Sequence, residues 1–124
     1  MLILIADDDS EDVEIFCDAL TEIDPAIECI QVENGEAVMR LLTKTPVELP
    51  DFIFLDINMP RMNGKECLAE IKKNEVLKKI PVVMYSTSSD KRDMDACREM
   101  GADGYVVKPG DFKGLIGSLT SILT

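Results

Sequence analysis

The chain has no histidine, and its four cysteines, Cys17, Cys29, Cys67 and Cys97, form no Cys-x-x-Cys pair. Zinc centres are assembled from closely spaced Cys and His ligands, so a site of that kind is not expected. Each cysteine lies in an apolar periodic segment and reads as a buried free thiol packing as a small hydrophobe. No apolar run approaches the ~20 residues needed to cross a bilayer. The opening run Leu2–Ala6 is too short for a secretion signal and has no basic flank before it, so a cytoplasmic protein with no membrane partner is expected. Basic residues are scarce: 13 Lys and Arg stand against 24 Asp and Glu, a formal charge of −11. Binding to a nucleic-acid backbone needs a basic surface and is not expected either. The acidity itself reads as a solubility device. Linkers, repeats and low-complexity tracts are also missing. A length of 124 residues suits one domain, residues 1–124, able to bury a real core.

What the chain does have is strand–helix alternation, five times over. Leu2–Ala6 is a continuous apolar run of strand length. Val13, Phe16, Cys17 and Leu20 then recur at helical spacing. Pro25 punctuates, and Ile27–Val32 reads as a second strand. Asn34-Gly35 opens a short helix with Val38, Leu41 and Leu42 inward. Pro46 and Pro50 bracket a loop before a third strand, Asp51–Leu55. Gly64 precedes a helix carrying Leu68 and Ile71, with Val76-Leu77 as its farthest extent. Ile80–Tyr85 is the fourth strand. Ser88, Ser89 or Asp90 caps the next helix, which carries Met94, Cys97 and Met100 and stops at Gly101. Gly104–Val107 is the fifth strand, and Asp111 caps a last helix with Leu115, Leu119, Ile122 and Leu123 inward. Alternation with continuously apolar strands implies a parallel sheet covered on both faces. Five strands and five helices in this length match the flavodoxin-like, doubly wound order 2-1-3-4-5.

The polar residues that end these strands carry the chemistry. In open α/β sheets, sites lie outside the C-terminal strand ends. The first strand ends in Asp7-Asp8-Asp9, the third in Asp56, the fourth in Ser86-Thr87-Ser88, and the fifth in Lys108-Pro109. Neighbouring parallel strands would bring acids, a hydroxyl and an ammonium together. Clustered carboxylates repel one another at low dielectric, and a hard cation with oxygen ligands relieves this. The set suits phosphoryl transfer to Asp56 with help from magnesium. Each residue also has a plainer role. The Asp7–Asp9 run can cap the first helix, Lys108 can be a surface lysine, and Ser86 can belong to a loop. Met59 and Met62 read as packing residues.

Four motifs in order at these spacings are specific together. They are Asp7-Asp8 after strand 1, Leu55-Asp56-Ile57-Asn58-Met59-Pro60 with Asn63-Gly64, Ser86 after strand 4, and Gly101–Pro109 closing on Lys108-Pro109. Over essentially its whole length the chain resembles the receiver domain of two-component response regulators, of the stand-alone chemotaxis-regulator type. The resemblance implies that Asp56 accepts a phosphoryl group from a histidine kinase or histidine phosphotransfer protein. It implies magnesium held by Asp8 and Asp56, by Asp7 through water, and by the main-chain carbonyl of Asn58. It implies that Ser86 and Lys108 contact the phosphoryl group. It also implies that Ser86 and Tyr105 form a switch, in which phosphorylation turns Tyr105 inward and reshapes the face of helix 4, strand 5 and helix 5. Asn58 and Ser88, two residues after Asp56 and Ser86, flank the path of the hydrolytic water in the family and should set the lifetime of the phosphoryl group. Ser86 stands where many relatives have threonine, which keeps the hydroxyl. Gly110 replaces a larger residue beside the output face. No effector domain follows Thr124, so action through an output partner, or as part of a longer protein, is expected. Such a switch catalyses only its own phosphorylation and dephosphorylation.

Other classes fit less well. A haloacid-dehalogenase-like hydrolase also forms an aspartyl phosphate beside magnesium, but expects Asp-x-Asp early in the chain, whereas this chain has Asp56-Ile57-Asn58. A calcium loop at Asp7, Asp9 and Glu11 would need glycine where Asp12 stands. A flavodoxin would set acids against the flavin phosphate. A receiver that only docks would have no need of the full motif set.

Overall fold

The structure is a computed structural model that describes residues 1–44 and 48–124. Pro46, expected to open a loop, lies outside the described residues. Five strands alternate with five helices: β1 Leu2–Ala6, α1 Ser10–Ile23, β2 Glu28–Val32, α2 Gly35–Thr43, β3 Phe52–Leu55, α3 Gly64–Lys73, β4 Val82–Ser86, α4 Lys91–Glu99, β5 Gly104–Val107 and α5 Phe112–Leu123. All pairings are parallel, in the order β2-β1-β3-β4-β5. This is the doubly wound flavodoxin-like arrangement expected from the alternation.

The central strands β1, β3 and β4 bury both faces, and period-two alternation divides their side chains between two cores. Leu4, Ile53, Leu55 and Met84 pack under α2 and α3 with Val38, Leu42, Leu68 and Ile71. Ile3, Ile5, Phe54 and Tyr85 pack under α1 and α5 with Val13, Phe16, Leu115 and Leu119. Phe16 meets Phe54 edge-on, with ring centroids 4.9 Å apart. Such pairs add about 0.5–1.5 kcal/mol beyond the area they bury. Met59 and Met62 join the α2–α3 core, as expected of packing residues.

The helix starts follow cap chemistry. Asp9 accepts from the amides of Glu11 and Asp12, so it caps α1 and leaves Asp7 and Asp8 for other work. Asn34 caps α2, Asn63 and Glu66 form a capping box on α3, Asp90 rather than Ser88 or Ser89 caps α4, and Asp111 caps α5. Several boundaries differ from expectation: β2 starts at Glu28 rather than Ile27, β3 at Phe52 rather than Asp51 and β4 at Val82 rather than Ile80, and two further ends shift. α3 stops at Lys73, because the Asn74 side chain accepts from the amides of Val76 and Leu77 and starts a separate 3₁₀ turn, Leu77–Lys79. β4 runs on to Ser86, whose carbonyl accepts from the Lys108 amide at 2.7 Å. Ser86 is therefore the last residue of a buried strand and not part of a loop.

The cysteines also divide. Cys67 and Cys97 are buried as expected, whereas Cys17 and Cys29 are only half-buried. No helix among the described residues is long and apolar enough to cross a membrane.

Candidate functional site

Strand register builds the site. Ala6 pairs with Leu55, Leu55 with Met84, and Ser86 with Val107. The residues that follow, Asp7, Asp56 and Lys108, therefore leave the sheet at the same end, Asp7 beside Asp56 and Lys108 one strand further on. The Asp56 amide donates to the Ala6 carbonyl at 2.9 Å, which fixes the acceptor candidate to the end of β1. Gly64 fixes it from behind: a Cβ on Gly64 would lie 2.1 Å from the Asp56 carbonyl oxygen.

Three carboxylates converge. One oxygen each from Asp7, Asp8 and Asp56 lies within 4.8 Å of the others. Asp7 and Asp56 are buried, and Asp8 is exposed. Asp7 is well occupied: one oxygen accepts from the Asp9 amide at 3.0 Å and the other from Lys108 Nζ at 2.7 Å. Lys108 Nζ also donates to Asp12 at 2.8 Å and stands 3.5 Å from Asp56 Oδ2. One ammonium thus serves three carboxylates, 5.3 Å above the Tyr85 ring. Burial first and the charge of Asp7 second push the Asp56 carboxyl up to about 6, with Lys108 pulling the other way. Burial lowers the Lys108 ammonium, but Asp12 and Asp7 outweigh it and raise it above its ordinary value. Lys108 therefore stays cationic, while Asp56 ionises at a higher pH than an ordinary carboxylate. The Asn58 amide makes a long bond, 3.4 Å, to Asp56 Oδ1, and the Asn58 side chain is exposed.

The hydroxyl side is organised around Ser88. Its amide donates to Ser86 Oγ at 3.2 Å. Its hydroxyl donates to Asp93 Oδ2 at 2.7 Å, and Asp93 Oδ1 accepts from Lys65 Nζ at 2.8 Å. Its carbonyl accepts from the Tyr105 hydroxyl at 2.8 Å. The tyrosine was expected to turn inward on phosphorylation. In this structure it is half-buried, its hydroxyl donating to the Ser88 carbonyl while Asp93 accepts from the Ser88 hydroxyl. The Ser88 hydroxyl, expected beside a water path, is engaged by Asp93.

Sequence reasoning missed Asp12, Lys65 and Asp93. Asp12 carried a signal, standing one helical turn beyond the acidic run. Lys65 and Asp93 lie far apart in sequence and meet where the fold brings the first turns of α3 and α4 together.

A doubly wound sheet with clustered acids, a lysine and a hydroxyl at its strand ends defines a signalling receiver. Residues 3–120 match the family described as Response regulator receiver domain, and the chain belongs to that family of two-component signalling proteins. It is 33% identical over 125 residues to Response regulator Rcp1 of Synechocystis sp., covering 98% of this chain and 85% of that protein. It is 32% identical to Protein PilG of Pseudomonas aeruginosa over 86% of this chain and 69% of PilG. Of the phosphate regulon regulator PhoB from the same species, 29% identical, it spans only 51%. The manganese-bound form of Rcp1 superposes with a TM-score of 0.86, covering 98% of this chain and 90% of that one at 33% identity. The phosphorylated cyanobacterial phytochrome response regulator RcpA superposes at 0.89, covering 98% and 89% at 30% identity.

Proposed function

We propose that residues 1–124 act as one receiver unit in which Asp56 accepts a phosphoryl group from a histidine kinase or histidine phosphotransfer protein. The observation that carries this reading is the placement of Asp56, buried at the end of β3 within reach of Asp7, Asp8 and Lys108. An Asp56 oxygen attacks phosphorus, the bond to the donor imidazole breaks, and the imidazole leaves. Lys108, 3.5 Å away, turns from Asp7 and Asp12 toward the new charge. Ser86 Oγ accepts from Ser88, so its own proton is free to donate to a phosphoryl oxygen.

The donor set fits magnesium: three carboxylates with oxygen atoms within 4.8 Å offer the hard ligands it prefers. Asp8 and Asp56 would hold the ion directly, Asp7 through water because its oxygens are engaged, and Asn58 through its carbonyl. When bound, the ion supplies positive charge that offsets repulsion between the carboxylate and the incoming phosphoryl group. A manganese-bound relative supports this reading. Asn58 and Ser88 set the lifetime of the acyl phosphate. Ser86, Ser88 and Tyr105 relay the change to the face of α4, β5 and α5, where an output protein docks. The site of action is the cytoplasm.

The test is labelling with acetyl phosphate and magnesium, read by peptide mass spectrometry. Asp56 gains one phosphoryl group, and Asp56→Asn gains none while keeping its fold. Full labelling of that variant overturns the assignment. Multiple turnover of a phosphate ester selects the hydrolase reading instead.

A further inference from the structure

Asp12 belongs to the first turn of α1 and not to a strand end, yet it shares the lysine of the site. Its amide donates to the Asp9 cap at 3.2 Å, and Val13 beside it is buried in the α1–α5 core. Both contacts fix the rotation of this turn. Lys108 Nζ donates to Asp12 Oδ2 at 2.8 Å and to Asp7 Oδ2 at 2.7 Å. Asp56 Oδ2, at 3.5 Å, lies beyond the length of a charge-assisted hydrogen bond. The ammonium is therefore held closer to Asp7 and Asp12 than to the acceptor candidate. The two holders differ in what release costs. The Asp7 side chain is fully buried, and without its cation it would be an unpaired charge in a dry site. The Asp12 side chain is 33% exposed, so water can replace the ammonium when it leaves. The amide end of α1 also favours negative charge in its first turn. Asp12 is thus the holder that lets go at least cost.

We propose that Asp12 is a positioning residue that holds Lys108 in reserve and so sets how readily its ammonium passes to a phosphoryl group on Asp56. The proposal rests on Asp56 being the acceptor. Asp12 and the phosphoryl oxygens compete for one ammonium. The resting state keeps the Lys108–Asp12 bond and the phosphorylated state gives it up, so the bond favours the resting state by its own worth. Asp12 is partly exposed and water screens the pair, which places that worth at the low end for coupled sites, about fivefold in affinity. Removing the carboxylate should therefore tighten the hold of the site on a phosphoryl mimic. A residue that merely supported the fold would do the reverse, since its loss would loosen the site. Removing any negative charge near an anion site also helps through space. That field effect does not need Lys108, whereas competition for the ammonium does, and a second substitution at Lys108 separates the two.

The experiment titrates the full chain with beryllofluoride at saturating magnesium and reads Kd from the backbone amide signals. Wild type is compared with Asp12→Asn, Lys108→Ala and the double variant, with folding checked by circular dichroism. Glu11→Gln is the control, because Glu11 is the exposed neighbour of Asp12 and carries the same charge. The expected result is binding about fivefold tighter in Asp12→Asn, a change of less than about twofold in Glu11→Gln, and no effect of Asp12→Asn once Lys108 is alanine. In chelator, with no mimic present, the Lys108 ammonium protons should exchange with water faster in Asp12→Asn than in wild type. A wild type that does not bind the mimic overturns the acceptor reading and this proposal with it. A wild type that binds, with equal or weaker binding in Asp12→Asn, overturns the role of Asp12 alone. So does the same tightening in Glu11→Gln or in the Lys108→Ala background, and so does unchanged ammonium exchange in Asp12→Asn.

Discussion

Removing the charge of Asp56 is predicted to stabilise the protein when no divalent cation is present. The residue is 6% exposed. Burial and Asp7 raise its carboxyl from 3.8 to about 6 despite Lys108. A shift of about two units corresponds to about 3 kcal/mol against the ionised form. In the unfolded chain the group ionises near 3.8, so between 3.8 and about 6 the native state keeps a proton that the unfolded state has lost. The contribution of Asp56 to stability therefore falls as pH rises through that window, and the full penalty stands above it. Asp56→Asn removes the penalty. In chelator at about pH 7.5 the variant gains up to about 3 kcal/mol, or on the order of 10 °C in Tm. At about pH 4 wild-type Asp56 is largely protonated and the gap shrinks toward zero. Magnesium at ~100 times its Kd contributes about 2.7 kcal/mol to the wild type and nearly closes the gap at neutral pH. Urea denaturation at both pH values, with and without chelator, measures all three. A variant no more stable than wild type in chelator at neutral pH refutes the reasoning, and so does a gap that persists unchanged in acid.

Four further substitutions separate the roles at the site. Asp8→Ala should weaken magnesium binding in titration calorimetry. Asp9→Ala should spare that binding but lose about 0.5–2 kcal/mol of stability with the α1 cap; unchanged affinity in Asp8→Ala sinks the ligand assignment. Lys108→Ala leaves Asp7 buried without its partner, costing roughly 3 kcal/mol in chelator. It should still label while the amide signals of residues 85–110 no longer shift with the acyl-phosphate mimic beryllofluoride, and a wild-type shift pattern in that variant defeats the idea. Asp93→Ala frees both Lys65 and Ser88, so the Ser88 amide should exchange with deuterium faster; unchanged exchange would show that Asp93 does not hold the loop.

Much of this molecule is visible in its sequence because parallel strands leave little choice. Leu2–Ala6 and Phe52–Leu55 are apolar on both faces, and only a sheet covered twice buries them. Once the order is set, register carries Asp7, Asp56 and Lys108 to one edge. What stays hidden depends on rotation and packing. Asp12 reaches Lys108 because of how α1 is turned about its axis, which periodicity reports only coarsely. Lys65 and Asp93 are 28 residues apart and meet across the gap between the first turns of α3 and α4. Asn74 ends α3 with a side-chain bond that competes with the helix, although Val76-Leu77 would continue its apolar spacing. The position of Tyr105 depends on a main-chain carbonyl, which no residue pattern advertises.

Gly64 has a consequence for mutational tolerance. It touches no substrate and supplies no charge, yet its missing side chain would fall on the Asp56 carbonyl, 2.1 Å away, and on the Ile57 Cα at 2.8 Å. Both neighbours are backbone and cannot step aside. In a saturation-mutagenesis library selected for signalling, position 64 should accept almost nothing but glycine, as strictly as position 56 accepts only aspartate. Gly110 has nothing within 4 Å of its would-be side chain and should admit many residues. Where one backbone must pass this close to the main chain of Asp56, selection acts on empty space as firmly as on a side chain.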